Sequence, residues 1–256
     1  MNIDYSTPLA ETSIIASFSR RAKSYDKHAR LQKTMAERLA SLLLQGPAGR
    51  VLELGCGTGV FTRHLLAQPV RELILNDIAA PMIDRLREQI SLPESTRFLI
   101  GNAETLDFPE ADLVAANAVF QWFRRPRRTL AHLHSRLRPE GRLVFSTFGP
   151  GTLREFRNTV GIESPSLLQS LDEWLRDLED SGFDVEEAVP ETRKTFSANT
   201  RALISSLQQI GAAPFRMLGT GGLKKLIREY DLGFKTPQGV YANWEIYYIR
   251  ARHRAG

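Results

Sequence analysis

Apolar residues in this chain fall into short runs, separated by longer segments in which apolar residues recur at helical spacing. The first run ends at Leu54, and helical spacing resumes at Phe61. We predict seven strands, at 51–54, 72–76, 97–100, 111–117, 142–147, from 182 onward and at 245–251. Strands that alternate with helices form doubly wound sheets in which most strands are parallel. The pattern therefore predicts an α/β protein with a mostly parallel, seven-stranded sheet.

Two segments fall outside the predicted sheet. Helical spacing runs from Ile14 to Leu44 and has a polar break rich in Arg, Tyr and His. These N-terminal helices either cross the carboxyl ends of the strands, where open α/β sheets bind ligands, or pack on the flank of the sheet. We expect one domain over 1–256 with three parts: 1–47 as a helical cap, 48–151 as the ligand-binding core, and 152–256 as the remaining sheet with a second capping insertion at about 190–243.

Three glycines at alternate positions, Gly55, Gly57 and Gly59, follow the first strand. A dinucleotide site has the spacing G-x-G-x-x-G, whereas here the third glycine comes one residue early. The strand also ends with Glu53, which would repel a pyrophosphate but suits the ammonium group of an amino-acid ligand. The segment resembles motif I of the class I S-adenosylmethionine (AdoMet) methyltransferases, whose fold is Rossmann-like. The resemblance implies AdoMet as cofactor and places Cys56 with the glycines in the cofactor loop; the alternative is an ordinary glycine-rich turn.

Further cofactor candidates follow the next strands. Asp77 lies about 20 residues beyond the glycine loop, where a carboxylate can accept hydrogen bonds from both hydroxyls of a ribose. Met82, near the start of the next helix, lies either against an adenine face or in simple packing. Asn102 stands where the methyltransferase pattern usually has Asp, and its amide oxygen can still accept from an adenine amino group; the alternative is a strand-end turn. Ile78 and Ala103 adjoin these positions and complete the predicted adenosine site.

Composition narrows the function classes. The net charge is +5 and the isoelectric point is near 9.5, which favours anionic partners. No run of about 20 apolar residues and no basic-then-apolar leader is present, so we expect a cytoplasmic protein without a membrane segment. Cys56 is the single cysteine and no Cys/His cluster occurs, so neither a disulfide nor a structural metal is expected. No proline follows Asn117, so a base-flipping Pro-Pro-aromatic turn is absent, and we regard nucleic acid as an unlikely substrate.

A more specific resemblance runs over most of the chain, from about residue 14 to 252. It is carried by the segments 18–29, 117–122, 148–153, 210–212 and 244–248. They resemble the malonyl-acyl carrier protein O-methyltransferases of biotin synthesis. That resemblance implies transfer of a methyl group from AdoMet to the free carboxylate of a malonyl thioester on acyl carrier protein. It also implies cofactor roles for Asn117, with Tyr25 and Gln32 closing over the methionine end.

The acceptor chemistry leaves several alternatives open. A carboxylate is already ionised at neutral pH and needs no general base, whereas a phenol or amine would need one. Tyr25 is a candidate catalytic residue, and Trp122, Arg124 and Arg125 are candidates for binding the acceptor. An acidic carrier protein would contact the cations at Arg127, Arg128, Lys224, Lys225 and Arg228. Alternatively, the arginine run 124–128 is only the solvated first turn of a helix. Methylation of another small acid, a quinone-type phenol or RNA, and a catalytically idle AdoMet-binding protein, are the competing hypotheses.

Overall fold

The structure, a computed structural model, describes residues 10–44, 48–161, 168–210 and 220–254. One sheet of eight strands organises the chain. The strands are β1 (Ala48–Leu54), β2 (Val70–Asp77), β3 (Arg97–Ile100), β4 (Ala111–Asn117), β5 (Leu137–Phe148), β6 (Phe183–Ser197), β7 (Lys235–Thr236) and β8 (Gly239–His253). Their order is β3-β2-β1-β4-β5-β8-β6, with β7 paired to β8.

Strands β1 to β5 are parallel to one another, whereas β8 is antiparallel to β5 and β6. The strand order reverses between β1 and β4, which is the point where doubly wound sheets open a crevice for ligands. The predicted mostly parallel α/β fold is confirmed. The predicted number of strands needs a correction, because the two-residue strand β7 adds an eighth member to the seven expected.

Helices cover both faces of the sheet. They are α1 (Glu11–Arg21), α2 (Tyr25–His28), α3 (Arg30–Ala40), α4 (Thr62–Leu65), α5 (Ala80–Gln89), α6 (Pro126–Arg136), α7 (Arg154–Val160), α8 (Leu171–Asp180), α9 (Thr200–Gln209) and α10 (Thr220–Gly233). One face packs against α3, α5, α7, α9 and α10, and the other against α6 and α8. Successive strand residues alternate between the two cores, as Val51 and Leu52 do, because side chains of a strand point to opposite faces.

The N-terminal helices combine both arrangements left open by the sequence. Helix α3 buries Leu31, Met35 and Leu39 in the core on one face of the sheet, so it packs on the flank. Helix α1 begins at Glu11, three residues before the predicted start, and no residue within Glu11–Arg21 is fully buried. It lies across the strand ends, where Phe18 packs against Met82.

The second predicted insertion is shorter than expected. Strand β6 continues to Ser197 and β8 already begins at Gly239, so both ends of the predicted segment 190–243 are strand. Between them lie α9, α10 and β7, while residues 211–219, which include part of the family segment 210–212, are outside the described residues. No helix in the described part of the chain is long and apolar enough to cross a membrane.

Candidate active site

A cavity that is open to solvent lies at the carboxyl ends of the parallel strands, beneath α1. Its lining comes from five places in the chain: α1 and α2, the glycine loop, the end of β2 with the start of α5, the loop after β3, and the segment after β4. The lining residues are Glu11, Ile14, Phe18, Tyr25, Gly55, Gly57, Asn76, Asp77, Ile78, Met82, Gly101, Asn102, Ala103, Glu104, Asn117, Ala118, Val119, Trp122, Phe123 and Arg124.

The glycine loop needs its glycines for different reasons. Gly55, Gly57 and Gly59 all have positive φ, which residues with a Cβ rarely adopt. A Cβ on Gly55 would lie 2.5 Å from Val119 Cγ2, and one on Gly59 would lie 2.2 Å from Ile90 Cδ1. A Cβ on Gly57 would meet no atom closer than 4.0 Å. Gly55 and Gly59 therefore permit close packing within the protein, whereas Gly57 borders open space in the cavity.

Two buried groups lie behind this loop rather than in the cavity wall. Glu53 is almost fully buried, and its Oε2 accepts a hydrogen bond of 2.6 Å from Thr62 Oγ1. Burial raises the pKa of Glu53 to about 8, and the charge of Asp77 also raises it, although the Thr62 bond acts in the opposite direction. The pKa of the buried Cys56 thiol is likewise raised, chiefly by burial. Glu53 thus connects the end of β1 to the start of α4, while the Cys56 thiol points into the protein core.

Asp77 ties the end of β2 to the glycine loop. Its Oδ2 accepts from the Gly57 N–H at 2.8 Å, and its Oδ1 accepts from the Ala79 N–H at 2.8 Å. Burial raises the pKa of Asp77 to about 6, while these backbone donors act in the opposite direction. The Ile78 backbone N–H also acts on this carboxylate, and its remaining lone pair can accept a further donor. The side chain is thus a fixed double acceptor in the cavity wall.

The end of β4 is held by a network around Asn117. Its Nδ2 donates to the Gln32 backbone carbonyl at 3.0 Å, and its Oδ1 accepts from Ser146 Oγ at 2.8 Å. The next residue, Ala118, has φ 56°, a left-handed conformation that is costly for alanine. Ala118 N donates to the hydroxyl and the carbonyl of Ser146, which helps to hold that conformation. The backbone therefore turns sharply into the cavity wall.

The mouth of the cavity carries the arginine run. Glu104 Oε1 accepts from the backbone N–H groups of Arg124 at 3.0 Å and Arg125 at 2.9 Å, which fixes the course of the chain there. Arg124 lines the cavity beside Trp122, and Arg125 does not line it. Arg127 is committed elsewhere, because it pairs with Asp177 and Asp180 of α8 at 3.3 and 2.5 Å.

Tyr25 is the half-buried phenol at the start of α2. Its ring packs edge-on against Phe18, with centroids 6.3 Å apart. Burial, followed by the charges of Asp77 and Asp26, raises the pKa of this phenol well above its usual value. Tyr25 therefore stays protonated at neutral pH and is a hydrogen-bond donor rather than a base.

Two of the family-like segments form a single structural unit outside the cavity wall. The Glu245 carbonyl accepts from the Gly149 N–H and from Thr152 Oγ1, both at 2.9 Å. Glu245 Oε2 accepts from the Gly151 N–H at 2.5 Å. A Cβ on Gly149 would lie 2.5 Å from the Tyr247 hydroxyl oxygen. The sequence pattern around 148–153 and 244–248 is thus explained by close packing of a loop on β8.

Most of the predicted site residues meet in one place. The cavity wall includes eleven of them, namely Gly55, Gly57, Asp77, Ile78, Met82, Asn102, Ala103, Asn117, Tyr25, Trp122 and Arg124. Five lie outside the wall: Glu53, Cys56, Gly59, Gln32 and Arg125. Met82 borders the cavity and belongs to a small buried cluster with Ala22 and Ala79, against which Phe18 and Tyr25 pack; its predicted contact with an adenine face stays a prediction.

Sequence reasoning missed the contribution of α1. Glu11 and Ile14 line the cavity with Phe18, although the segment before Ile14 carries no motif. The apolar i, i+4 pair of Ile14 and Phe18 was a signal, but it equally predicts packing against the core. Glu104, Val119 and Phe123 were also missed; each lies in the loop that follows β3 or β4, and that position was the signal that could have identified them.

AdoMet fits the chemistry of this cavity. It offers ribose hydroxyls, which need an acceptor such as Asp77 at the end of β2. Its adenosine needs an apolar surface, which Ile78, Met82 and Ala103 provide. A backbone without a side chain borders open space at Gly57. Within the described residues, no cluster of three or more His, Cys, Asp or Glu side chains could hold a metal ion.

Comparisons with known proteins identify the family of the chain. Residues 25–189 match a family model described as a methyltransferase domain. The chain is 34% identical over 266 residues to a malonyl-acyl carrier protein O-methyltransferase from Paenibacillus sp. (strain JDR-2), covering 92% of this chain and 96% of the relative. A relative of the same description from Brevibacillus brevis is 31% identical, covering 95% and 96%.

Among solved structures, the N-methyltransferase NodS from Bradyrhizobium japonicum, in complex with S-adenosylhomocysteine, superposes with a TM-score of 0.59 at 15% identity, covering 95% of this chain and all of that one. At this identity the likeness shows the fold alone. Fold and site together define a class I methyltransferase, as predicted. Within that class, the chain belongs to the family of malonyl-acyl carrier protein O-methyltransferases.

Proposed function

We propose that the protein transfers a methyl group from AdoMet to the free carboxylate of a malonyl thioester carried on acyl carrier protein. The product is a methyl ester whose masked charge lets the acyl chain be elongated as a primer for biotin synthesis. The observation that carries the proposal is that the predicted cofactor residues and the predicted acceptor residues Tyr25, Trp122 and Arg124 line the same cavity. The malonyl-acyl carrier protein specificity rests on the relatives, which match nearly the whole chain.

We assign the ribose, methionine and adenine parts of AdoMet to different residues of the cavity wall. Asp77 accepts from the ribose hydroxyls, and the Gly55–Gly57 backbone runs beside the methionine portion. Ile78 and Met82 contact the adenine face. Glu53 is buried behind the glycine loop, so it supports the loop and does not line the cavity. Asn117 holds α3 against the end of β4 through the Gln32 carbonyl, so Gln32 acts through its backbone.

The chemistry asks little of the side chains beyond alignment. When bound, AdoMet supplies an electrophilic methyl group on a sulfonium, and displacement by a carboxylate oxygen forms a C–O bond and breaks the C–S bond without moving a proton. No base is needed, which agrees with a Tyr25 phenol whose pKa is raised by burial. Tyr25 can donate to the acceptor carboxylate, and Arg124 at the mouth orients it. Trp122 excludes water beside them. Alignment of this kind supplies on the order of 7–11 kcal/mol.

The carrier protein meets the mouth of the cavity. Arg125 and Arg128 are exposed there, on the segment whose course is fixed by Glu104. Arg127 is less suited, because its charge is paired with α8. Lys225 and Arg228 lie 3.9 and 4.0 Å from Glu229 Oε1, so their charge is partly compensated. An acidic carrier is attracted electrostatically to such a mouth, and salt weakens that attraction.

Transfer of a labelled methyl group to purified malonyl-acyl carrier protein tests the proposal. We expect label on the carrier, released as methanol by mild base, as a methyl ester requires. Butyryl-acyl carrier protein, which lacks the free carboxylate, is the matched control and should remain unlabelled. We also expect malonyl-acyl carrier protein to be methylated faster than malonyl-CoA, with the difference shrinking as salt rises. Label on a phenol or an RNA, but not on the malonyl carrier, would reject the proposed acceptor.

A further inference from the structure

One hydrogen bond joins α1 to the loop after β3 across the cavity. Asn102 Nδ2 donates to Glu11 Oε2 at 2.8 Å, although the two residues are 91 positions apart in the chain. Both residues line the cavity. A second contact holds the same helix, since the Phe18 ring packs edge-on against Trp122 with centroids 5.7 Å apart. Helix α1 is thus attached to the cavity wall at two points.

The orientation of the Asn102 amide is fixed from both sides. Its Oδ1 accepts from the Glu104 backbone N–H at 2.9 Å, while its Nδ2 donates to Glu11. The reversed amide would place its oxygen against the Glu11 carboxylate and its NH₂ group against an N–H donor. Both contacts would be repulsive, so the amide oxygen is held within its own loop.

The nearby carboxylates differ in how far they are already engaged. Glu104 Oε1 accepts from the N–H groups of Arg124 and Arg125. Asp77 lies at the end of β2, bonded to Gly57 and Ala79. The Glu11 carboxylate receives the Asn102 bond on one oxygen, and a carboxylate has about four lone-pair sites in all. Its remaining lone-pair sites can therefore accept a further donor beside the loop after β3.

We propose that Glu11 accepts a hydrogen bond from the exocyclic amino group of the adenine, so that α1 itself recognises the base. The inference rests on the proposed function, because it takes AdoMet as the ligand of the cavity. A carboxylate on the amino group selects adenine over a 6-oxopurine, whose oxygen would face the carboxylate with like polarity. Asn102 acts as a positioning residue that holds the Glu11 side chain toward the cavity.

Calorimetry with two nucleosides tests this role without catalysis. S-adenosylhomocysteine carries the amino group, and S-inosylhomocysteine carries an oxygen in its place. For the unaltered protein we expect S-adenosylhomocysteine to bind about tenfold or more tightly than S-inosylhomocysteine, as expected for a charge-assisted hydrogen bond. In Glu11→Gln, whose amide can accept from Asn102 and donate to a 6-oxo group, that preference should disappear or reverse. Glu37→Gln removes the same charge from an exposed site on α3 and should keep the preference.

The positioning role of Asn102 gives a second measurement. Asn102→Ala removes the hydrogen bond that holds Glu11 and should reduce the preference for S-adenosylhomocysteine over S-inosylhomocysteine severalfold. In the Glu11→Gln background the same change should have no further effect on that preference, and an unchanged preference in Asn102→Ala alone would show that Asn102 does not position Glu11. If Glu11→Gln weakens both nucleosides equally, or neither, α1 only docks and the inference is wrong. Binding of neither nucleoside by the unaltered protein would instead remove the cofactor assignment, and this inference with it.

Discussion

Gly57 and Gly161 offer a matched pair of substitutions that separates ligand space from backbone strain. Both glycines have positive φ, 55° and 69°, and an added Cβ meets no close neighbour at either. Gly57 lines the cavity, whereas Gly161 ends α7 away from it. Gly57→Ala and Gly161→Ala therefore impose the same local conformational cost, and only the first places a methyl group in the proposed AdoMet site.

The two effects have separate magnitudes. Alanine in a left-handed conformation costs about 1–2 kcal/mol, part of which is offset by about 0.4–1 kcal/mol from a less flexible unfolded chain. A net loss of about 1 kcal/mol lowers the melting temperature of a chain of this size by about 2–4 °C. Overpacking of a fitted contact costs about 1–3 kcal/mol, so in Gly57→Ala the Kd for S-adenosylhomocysteine should rise about 5- to 150-fold.

Thermal melting and isothermal calorimetry with S-adenosylhomocysteine check both numbers. The melting temperatures of the two variants should fall by similar amounts. The affinity of Gly161→Ala should match that of the unaltered protein, while Gly57→Ala should bind more weakly. Equal affinities in the two variants would show that no ligand occupies the space beside Gly57, and the placement of the cofactor would be wrong.

Three further predictions concern charged groups. Because the pKa of Asp77 is raised to about 6 by burial, S-adenosylhomocysteine affinity should fall as pH drops below about 6, and Asp77→Asn should bind weakly with a flatter pH profile in calorimetry. Because burial raises the folded-state pKa of Glu53 from 4.5 to about 8, its ionisation opposes folding, so the free energy of unfolding should decline between about pH 5 and 8 relative to Glu53→Gln. Parallel urea-unfolding results for the two proteins at both pH values would contradict that assignment. Arg124→Gln should raise KM for malonyl-acyl carrier protein severalfold with little change in S-adenosylhomocysteine affinity, whereas Arg127→Gln, whose parent guanidinium is bound to α8, should leave KM nearly unchanged.

The parallel core could be predicted because its central strands are largely buried on both faces. Strands such as β4 are near-continuous apolar runs, and each ends in a polar residue or glycine that marks the ligand edge. The glycine loop, Asp77 and Asn117 follow from that pattern, since strand ends at one edge of a parallel sheet converge. These positions required only local sequence and the topology of the fold.

The outer strands could not be predicted to their full length. Among the described residues, β6 pairs with β8 alone, and its second half alternates between half-buried and exposed residues as an edge strand does. Pro190 and the charged residues after it resemble a loop in sequence, although proline is tolerated at an edge. The place of Glu11 in the cavity wall depends on its hydrogen bond with Asn102, which is 91 residues away in the chain. The residues around Glu11 carry no pattern that predicts this contact.

The chain also contains its own optical reporter for the docking of α1. Of its three tryptophans, Trp174 and Trp244 are sealed within the cores, while Trp122 borders the cavity and touches Phe18. The emission wavelength of Trp122 should shift when α1 moves away from the cavity or docks onto it. The other two tryptophans should give a nearly constant background. Stopped-flow fluorescence can therefore time the entry of a nucleoside in the unlabelled protein.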